Sequence, residues 1–314
     1  MMKIADINNP ELKSSGVQRI VIIGYGDIGS RVAHACLREN RDETIPVYGV
    51  ARSEESIAQM QRDGVTPVKA DLDRPQSLSA LRLESSLVFY FAPPPASGVT
   101  DPRMENFLAS IDLHKPPLKV VYLSTSGVYG DRAGGWVTEE SQPEPGSDRA
   151  RRRLDAETQL LNFKQQHPIQ LVILRVGGIY GPGRLPVRRI REGIPIIHEQ
   201  LAPKTNRIHA DDLATICLAA ATHGRDNEIY NVSDGCDSNM TEYFFQVADF
   251  LGLPRPATID WDEANRTLSQ GMLSYLRESR RMDNSKLLKE LNIKLKYPTL
   301  AQGLSSIDKN SLDD

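Results

Sequence analysis

The sequence predicts an α/β fold: a doubly wound parallel sheet followed by a smaller, mainly helical C-terminal lobe. Three observations carry that expectation. Short apolar, β-branched runs recur through the first 176 residues, among them Arg19-Ile-Val-Ile-Ile-Gly24, Val120-Val-Tyr-Leu-Ser124 and Leu171-Val-Ile-Leu-Arg175. Unbroken runs of this kind mark strands buried on both faces, as in a parallel sheet. The segments between them are helix-like, and strand–helix alternation builds βαβ units. After Val176 the strands thin out and amphipathic segments take over.

The elements follow in order. Residues 1–18 are polar, with Asn8, Asn9, Pro10 and Lys13, and they lack the apolar stretch of a signal peptide. They are expected to form a disordered or extended lead-in. Beyond the first strand, Ile28, Val32, Ala35 and Cys36 recur at helical spacing. Val47–Ala51 reads as the second strand, and Ser53 is placed to cap the next helix, with Ile57 and Met60 inward. Val65–Lys69 is a short third strand ending in Asp71-Leu72-Asp73, and Leu87–Ala92 is a fourth, stopped by Pro93, Pro94 and Pro95. The runs at 120–124 and 171–175 are the fifth and sixth, and Glu228–Ser233 adds another. Helices are expected over Asp211–Ala221 and Thr241–Leu251, and near Asp262–Leu276 and Ser285–Leu291.

Composition narrows the function classes. The chain has 314 residues, 39% of them hydrophobic and 25% charged, which suits a globular protein with a core. Its 38 Lys and Arg against 41 Asp and Glu give a net charge of −3, without the basic excess of a nucleic-acid binder. The basic runs are local and lack interleaved aromatics. No stretch approaches the roughly 18 consecutive apolar residues of a membrane helix. Cys36, Cys217 and Cys236 are too few and too far apart for a disulfide framework or a four-thiolate metal site. The expected location is the cytoplasm, with no metal.

The strongest chemical signal is Gly24-Tyr25-Gly26-Asp27-Ile28-Gly29, a G-x-G-x-x-G between a buried strand and a helix. Gly24 permits the tight turn, Gly26 admits a pyrophosphate to the backbone, and Gly29 lets helix and strand pack closely. The helix N-terminus then offers N–H groups to the phosphates. Residues 19–176 are therefore expected to form a Rossmann-type dinucleotide-binding domain, with 205–235 returning to it. Residues 177–204 and 236–310 would form the substrate lobe. A site for NAD usually carries an acid at the end of the second strand; here Ala51-Arg52-Ser53 stands there. Arg52 can pair with a 2′-phosphate and Ser53 can add a hydrogen bond, so NADP is expected in preference to NAD. Asp71 and Leu72 are placed to flank the adenine, and Ala92 and Pro93 to lie at the cofactor ribose.

With Ser124-Thr-Ser-Gly-Val-Tyr-Gly130, Arg175-Val-Gly-Gly-Ile-Tyr-Gly-Pro-Gly183 and Arg207-Ile-His-Ala-Asp-Asp-Leu213 added, residues 19–235 resemble the extended short-chain dehydrogenase/reductase superfamily, of the epimerase/dehydratase type. The resemblance implies a Ser or Thr that orients substrate, and Thr125 matches it. It also implies a Tyr-x-x-x-Lys pair, with Tyr as acid/base and Lys on the cofactor ribose. Counted back from Glu157, those two positions hold Arg149 and Arg153. An arginine stays protonated and is no acid/base near neutrality. The chain thus looks like an atypical member, as does Ile23 where the extended family has its first glycine. Ser126 and Gly127 stand where the sugar-nucleotide dehydratases have Asp and Glu, which sets the chain apart from that subgroup.

Several readings stay open at this stage. Arg153 either carries its charge to the cofactor ribose or a substrate anion, or pairs with Glu157, while Arg151 and Arg152 are expected on a solvated face. Tyr129, and less so Tyr180, are candidates to replace the missing tyrosine. Asp101 and Asn106 fall near a helix position that the family uses in a proton relay. His209, Asp211 and Asp212 are expected to be structural. Arg184, Arg188, Arg189 and Arg191 either form a solvated face or receive a phosphate or carboxylate. The function expected is an NADP-binding oxidoreductase acting on a small polar carbonyl or sugar-like substrate, an anionic one being compatible with these arginines. The alternative is a non-catalytic NADP-binding sensor. Dimers built on helices beside the fourth and sixth strands are common in the superfamily, so a homodimer is a further possibility.

Overall fold

The computed structural model describes residues 16–39 and 45–309. The expected lead-in lies outside the described residues up to position 15. Seven strands form one parallel sheet: β1 (Arg19–Ile23), β2 (Val47–Ala51), β3 (Thr66–Lys69), β4 (Ser86–Tyr90), β5 (Lys119–Thr125), β6 (Gln170–Val176) and β7 (Glu228–Val232). Their order is β7-β6-β5-β4-β1-β2-β3. The chain leaves β1 toward one edge and returns to β4 on its other side, so the order reverses between β1 and β4. Here Ile23 lies opposite Tyr90. In open parallel sheets, ligands bind in the crevice at such a reversal, beyond the carboxyl ends of the strands.

Alternation along the strands sorts side chains to two faces. Ile20 and Ile22 of β1, Phe89 of β4 and Leu174 of β6 pack on one face against helices α1 (Asp27–Glu39) and α5 (Ala210–Thr222). Val21, Ile23, Tyr90 and Ile173 pack on the other. There they meet Phe107 of helix α3 (Pro102–Ala109) and Leu160 of helix α4 (Asp148–Gln166). Helix α2 (Glu54–Arg62) opens with Ser53 as its cap, as expected, and buries Met60. Each large apolar side chain so buried contributes about 1.5–3 kcal/mol.

A third cluster gathers Tyr180, Ile190, Ile197 and residues of helix α6 (Met240–Leu251), with Leu304 and Ile307 from the end of the described chain. Two expectations are corrected here. The helix near Asp262–Leu276 is two helices, Trp261–Thr267 and Gln270–Leu276. They part because Ser269 turns out of the first and caps the second, its hydroxyl accepting from the Met272 N–H at 3.3 Å. Residues 285–295, grouped with the second lobe on sequence, instead send Leu287, Leu291 and Leu295 into the core on one face of the main sheet. The helix Leu300–Ser305 was not foreseen. No helix among the described residues is long and apolar enough to cross a membrane.

Candidate functional site

A cleft of about 530 Å³ opens at the strand reversal, lined by the glycine loop and by the ends of β2, β3 and β4. Gly24 has φ +94°, and a Cβ there would stand 2.6 Å from the Ala92 nitrogen. The loop therefore crosses the end of β4 at a distance only glycine allows. A Cβ on Gly29 would stand 2.5 Å from the Gly24 carbonyl oxygen, so α1 seats directly on the turn. At Gly26 a Cβ would meet nothing within 4 Å. Its backbone is bare toward the cleft, and this is the form a pyrophosphate cradle at a helix N-terminus takes.

Every residue assigned to the cofactor from sequence lines this cleft: Gly24, Tyr25, Gly26, Asp27, Ile28, Gly29, Arg52, Ser53, Asp71, Leu72, Ala92 and Pro93, with Arg153 the one exception. Their contacts define them further. Tyr25 donates its hydroxyl to Asp63 at 2.7 Å, and burial and that carboxylate push its pKa well up. Asp27 accepts from Arg31 at 2.8 Å and from Arg184, which reaches in from the loop after Gly181. Arg31 also reaches Asp211 at 2.6 Å. Arg52 is 65% exposed at the side chain and stands 3.5 Å from Asp73. Ser53 spends its hydroxyl on the α2 cap, accepting from the Ser56 N–H.

Sequence reasoning missed Arg103. It sits in the first turn of α3, whose start is fixed by Pro102 and by Asp101 accepting from the Arg103 and Met104 N–H groups. Its guanidinium grips both oxygens of Asp73, at 2.7 and 2.6 Å, and donates to the Pro93 carbonyl at 2.9 Å. That fork holds the Asp73 carboxyl below its usual range. The only sequence signal was an arginine just after a capping Asp-Pro. Asn106, considered for a relay, donates to the Leu72 carbonyl at 2.8 Å and so fixes the end of β3.

A second cavity of about 450 Å³ meets the first at Pro93, which lines both. Thr125 lies on its wall at the end of β5, where its side chain accepts from the Gly127 N–H at 3.2 Å and caps a short turn. Arg149, Arg152 and Arg153 line it from one face of α4. Arg153 donates to the carbonyls of Leu123 (3.0 Å) and Ala92 (3.4 Å) and to the Tyr122 hydroxyl (3.3 Å). It thereby ties together the ends of β4 and β5 that floor the first cleft.

Three expectations change. Arg153 does not pair with Glu157. That carboxylate is buried at 1% exposure and is taken by Arg175 of β6 at 2.7 Å, with Ser124 donating to it as well. Arg152 is not on a solvated face: the loop before α3 covers it, and it donates to the Gly98 carbonyl at 2.5 Å. Tyr129 does not face the cavities. It is buried, donates to Asn231 at 2.7 Å and lies against the Arg175 guanidinium, 4.8 Å from ring centroid to Cζ. Tyr180 is likewise buried, bonded to the Thr299 carbonyl and edge-on to His209. His209 caps α5, and Asp212 accepts from the Lys296 and Tyr297 N–H groups, so both act structurally.

The glycine cradle at the reversal of a parallel sheet defines a nucleotide-binding α/β protein. The model of the NAD dependent epimerase/dehydratase family matches residues 20–233, and the chain belongs to that family. Among curated relatives, mouse dTDP-D-glucose 4,6-dehydratase is 26% identical over 132 residues, 40% of this chain and 37% of that protein. Protein YeeZ of Escherichia coli strain K12 is 27% identical over 192 residues, 59% of this chain and 60% of that one. The match thus spans under two thirds of either relative. Among solved structures, a functionally unknown conserved protein from Silicibacter pomeroyi superposes with TM-score 0.77 at 25% identity, over 95% of this chain and all of that one. UDP-glucuronic acid 4-epimerase from Bacillus cereus, in complex with NAD, superposes with TM-score 0.74 at 19% identity, over 94% and 96%; that likeness is one of fold.

Proposed function

We propose that this protein binds a nicotinamide dinucleotide, NADP(H) in preference to NAD(H), and acts as an oxidoreductase of the epimerase/dehydratase type. Its substrate on this reading is a small polar carbonyl or sugar-like compound. The observation that carries it is the glycine cradle: Gly24 and Gly29 have no room for a Cβ, and Gly26 is bare toward the cleft. The NAD bound by the B. cereus epimerase of the same fold agrees with the dinucleotide part of this reading. When bound, the nicotinamide supplies hydride donation and acceptance. The glycine loop and α1 hold the pyrophosphate, Asp71 and Leu72 flank the adenine, and Ala92 and Pro93 border the ribose. Arg52 supplies charge to a 2′-phosphate. Thr125 orients the substrate in the adjoining cavity, and Arg153 sets the floor between the two. Cytoplasmic residence belongs to the same reading, in keeping with three cysteines that form no disulfide among the described residues.

Calorimetric titration with NADPH and NADH tests the cofactor part. Tight NADPH and weak NADH binding is expected, and absence of both overturns the reading. NADPH oxidation that persists in Thr125→Ala would remove Thr125 from the site.

One observation favours a second reading, a non-catalytic NADP-binding sensor. Among the described residues lining the two cavities there is no histidine, and the sole tyrosine, Tyr25, is committed to Asp63. Arg149→Tyr with Arg153→Lys separates the two. Gain of reductase activity supports a retained substrate site, and no gain favours the sensor.

A further inference from the structure

The second cavity carries an unusual balance of charge. Its walls present Arg149, Arg152, Arg153, Lys204 and Arg280 against a single carboxylate, Glu278. Glu278 is engaged by Arg280 at 3.0 Å, and Lys204 pairs outward with Asp237 at 2.7 Å. The three arginines of α4 are placed by periodicity. Positions 149, 152 and 153 fall on one helix face, while Arg151 points away and pairs with Asp148 at 2.6 Å.

Arg152 is the telling residue. It is 7% exposed, its hydrogen bond goes to the neutral Gly98 carbonyl, and its Nε is buried with no partner. Arg153 likewise donates only to carbonyls and a hydroxyl in the bonds described above. A buried guanidinium without a counter-charge is costly, and a ligand oxyanion relieves that cost. Thr125, Ser126 and Gly127 edge the same space with hydroxyl and backbone polar groups.

We propose that this cavity binds a substrate through an oxyanion, a phosphate or carboxylate group seated on Arg149 and Arg152 beside Thr125. Arg149, which stands in the tyrosine position, has on this assignment exchanged proton transfer for anion binding. The proposal rests on the reading of this cavity as the substrate site of the proposed oxidoreductase.

The test is titration of the full chain with inorganic phosphate and, separately, malonate, with and without NADPH. Phosphate binding alone assigns a phosphorylated substrate, malonate binding alone a carboxylate, and binding of both a general oxyanion site. Arg152→Gln and the exposed Arg149→Gln should each weaken the binding about tenfold or more, as expected for a lost charge-assisted hydrogen bond. Arg151→Gln should leave it unchanged. Because Arg149 is exposed, its variant stays informative even if Arg152→Gln does not fold. Failure of both oxyanions to bind at millimolar concentration, or wild-type binding by Arg149→Gln, overturns the proposal. NADPH titration of the same samples reads the cofactor assignment separately. Oxyanion binding that depends on Arg149 without NADPH binding would end that assignment and leave this one standing.

Discussion

Both cavities are lined by arginines, yet they use them in opposite ways. In the glycine-loop cleft each arginine is matched by an acid: Arg52 and Arg103 share Asp73, and Arg184 holds Asp27. In the neighbouring cavity Arg280 holds Glu278, but Arg152 and Arg153 donate to neutral carbonyls. The closely paired Arg103 and Arg184 position a wall, whereas Arg152 and Arg153, resting on carbonyls, keep their charge for the proposed oxyanion. The residue type is the same and the partner decides the role.

The sharpest way to probe this contrast is Glu157→Gln. It strips the carboxylate from buried Arg175, and breaking a buried pair costs about 3–5 kcal/mol. Chemical denaturation should show that loss, while oxyanion affinity of the folded fraction stays as in wild type, because Glu157 does not serve Arg153. A parallel fall in oxyanion affinity would mean the two networks are one. Gly29→Ala attacks the first cleft alone. A Cβ 2.5 Å from the Gly24 oxygen forces the turn open, and a melt should show a loss of about 2 kcal/mol, of the order seen for overpacking. NADPH binding should be lost with it and phosphate binding by the second cavity kept.

Arg52→Ala should weaken NADPH binding about tenfold, near 1.4 kcal/mol, and leave NADH binding as it was. The side chain is well exposed, which keeps the effect modest. Equal loss for both nucleotides would place Arg52 among the positioning arginines instead. The smallest effect is expected outside both cavities. Burial pushes the Asp234 carboxyl up to about 6, above its ordinary 3.8. The folded state then holds its proton more tightly than the unfolded state, so stability falls as pH rises from about 4 to about 6 and is flat above. Asp234→Asn keeps an acceptor for the Cys236 N–H, should remove that slope, and should be more stable than wild type at neutral pH by urea denaturation.

The sheet was legible because its strands are buried on both faces, and continuous apolar runs such as Ile20–Ile23 need no partner to be recognised. The glycine-loop cleft was legible because its parts are local: a glycine motif and the residues that end each strand. Of the second cavity only Thr125, Arg149 and Arg153 were legible, through the family resemblance. Glu157 finds Arg175 18 positions away across a helix–strand packing, and nothing in the intervening sequence favours that partner over Arg153. Arg152 lies in an ordinary basic run, and only the loop ending at Asp101 makes it interior. Arg103 is invisible for the same reason, since its partner Asp73 is 30 positions back.

Arg153 stands on the second cavity's wall while its hydrogen bonds end on Ala92 and Leu123, both in the wall of the first. On the proposed reading, a ligand in one cavity would bear on the other through this side chain. If a ligand in the second cavity draws that guanidinium, the cofactor's affinity changes by some factor, and the cofactor must change the ligand's affinity by the same factor. The order in which the two molecules arrive is then immaterial to the energy of the complex, and substitutions at position 153 report on both events at once.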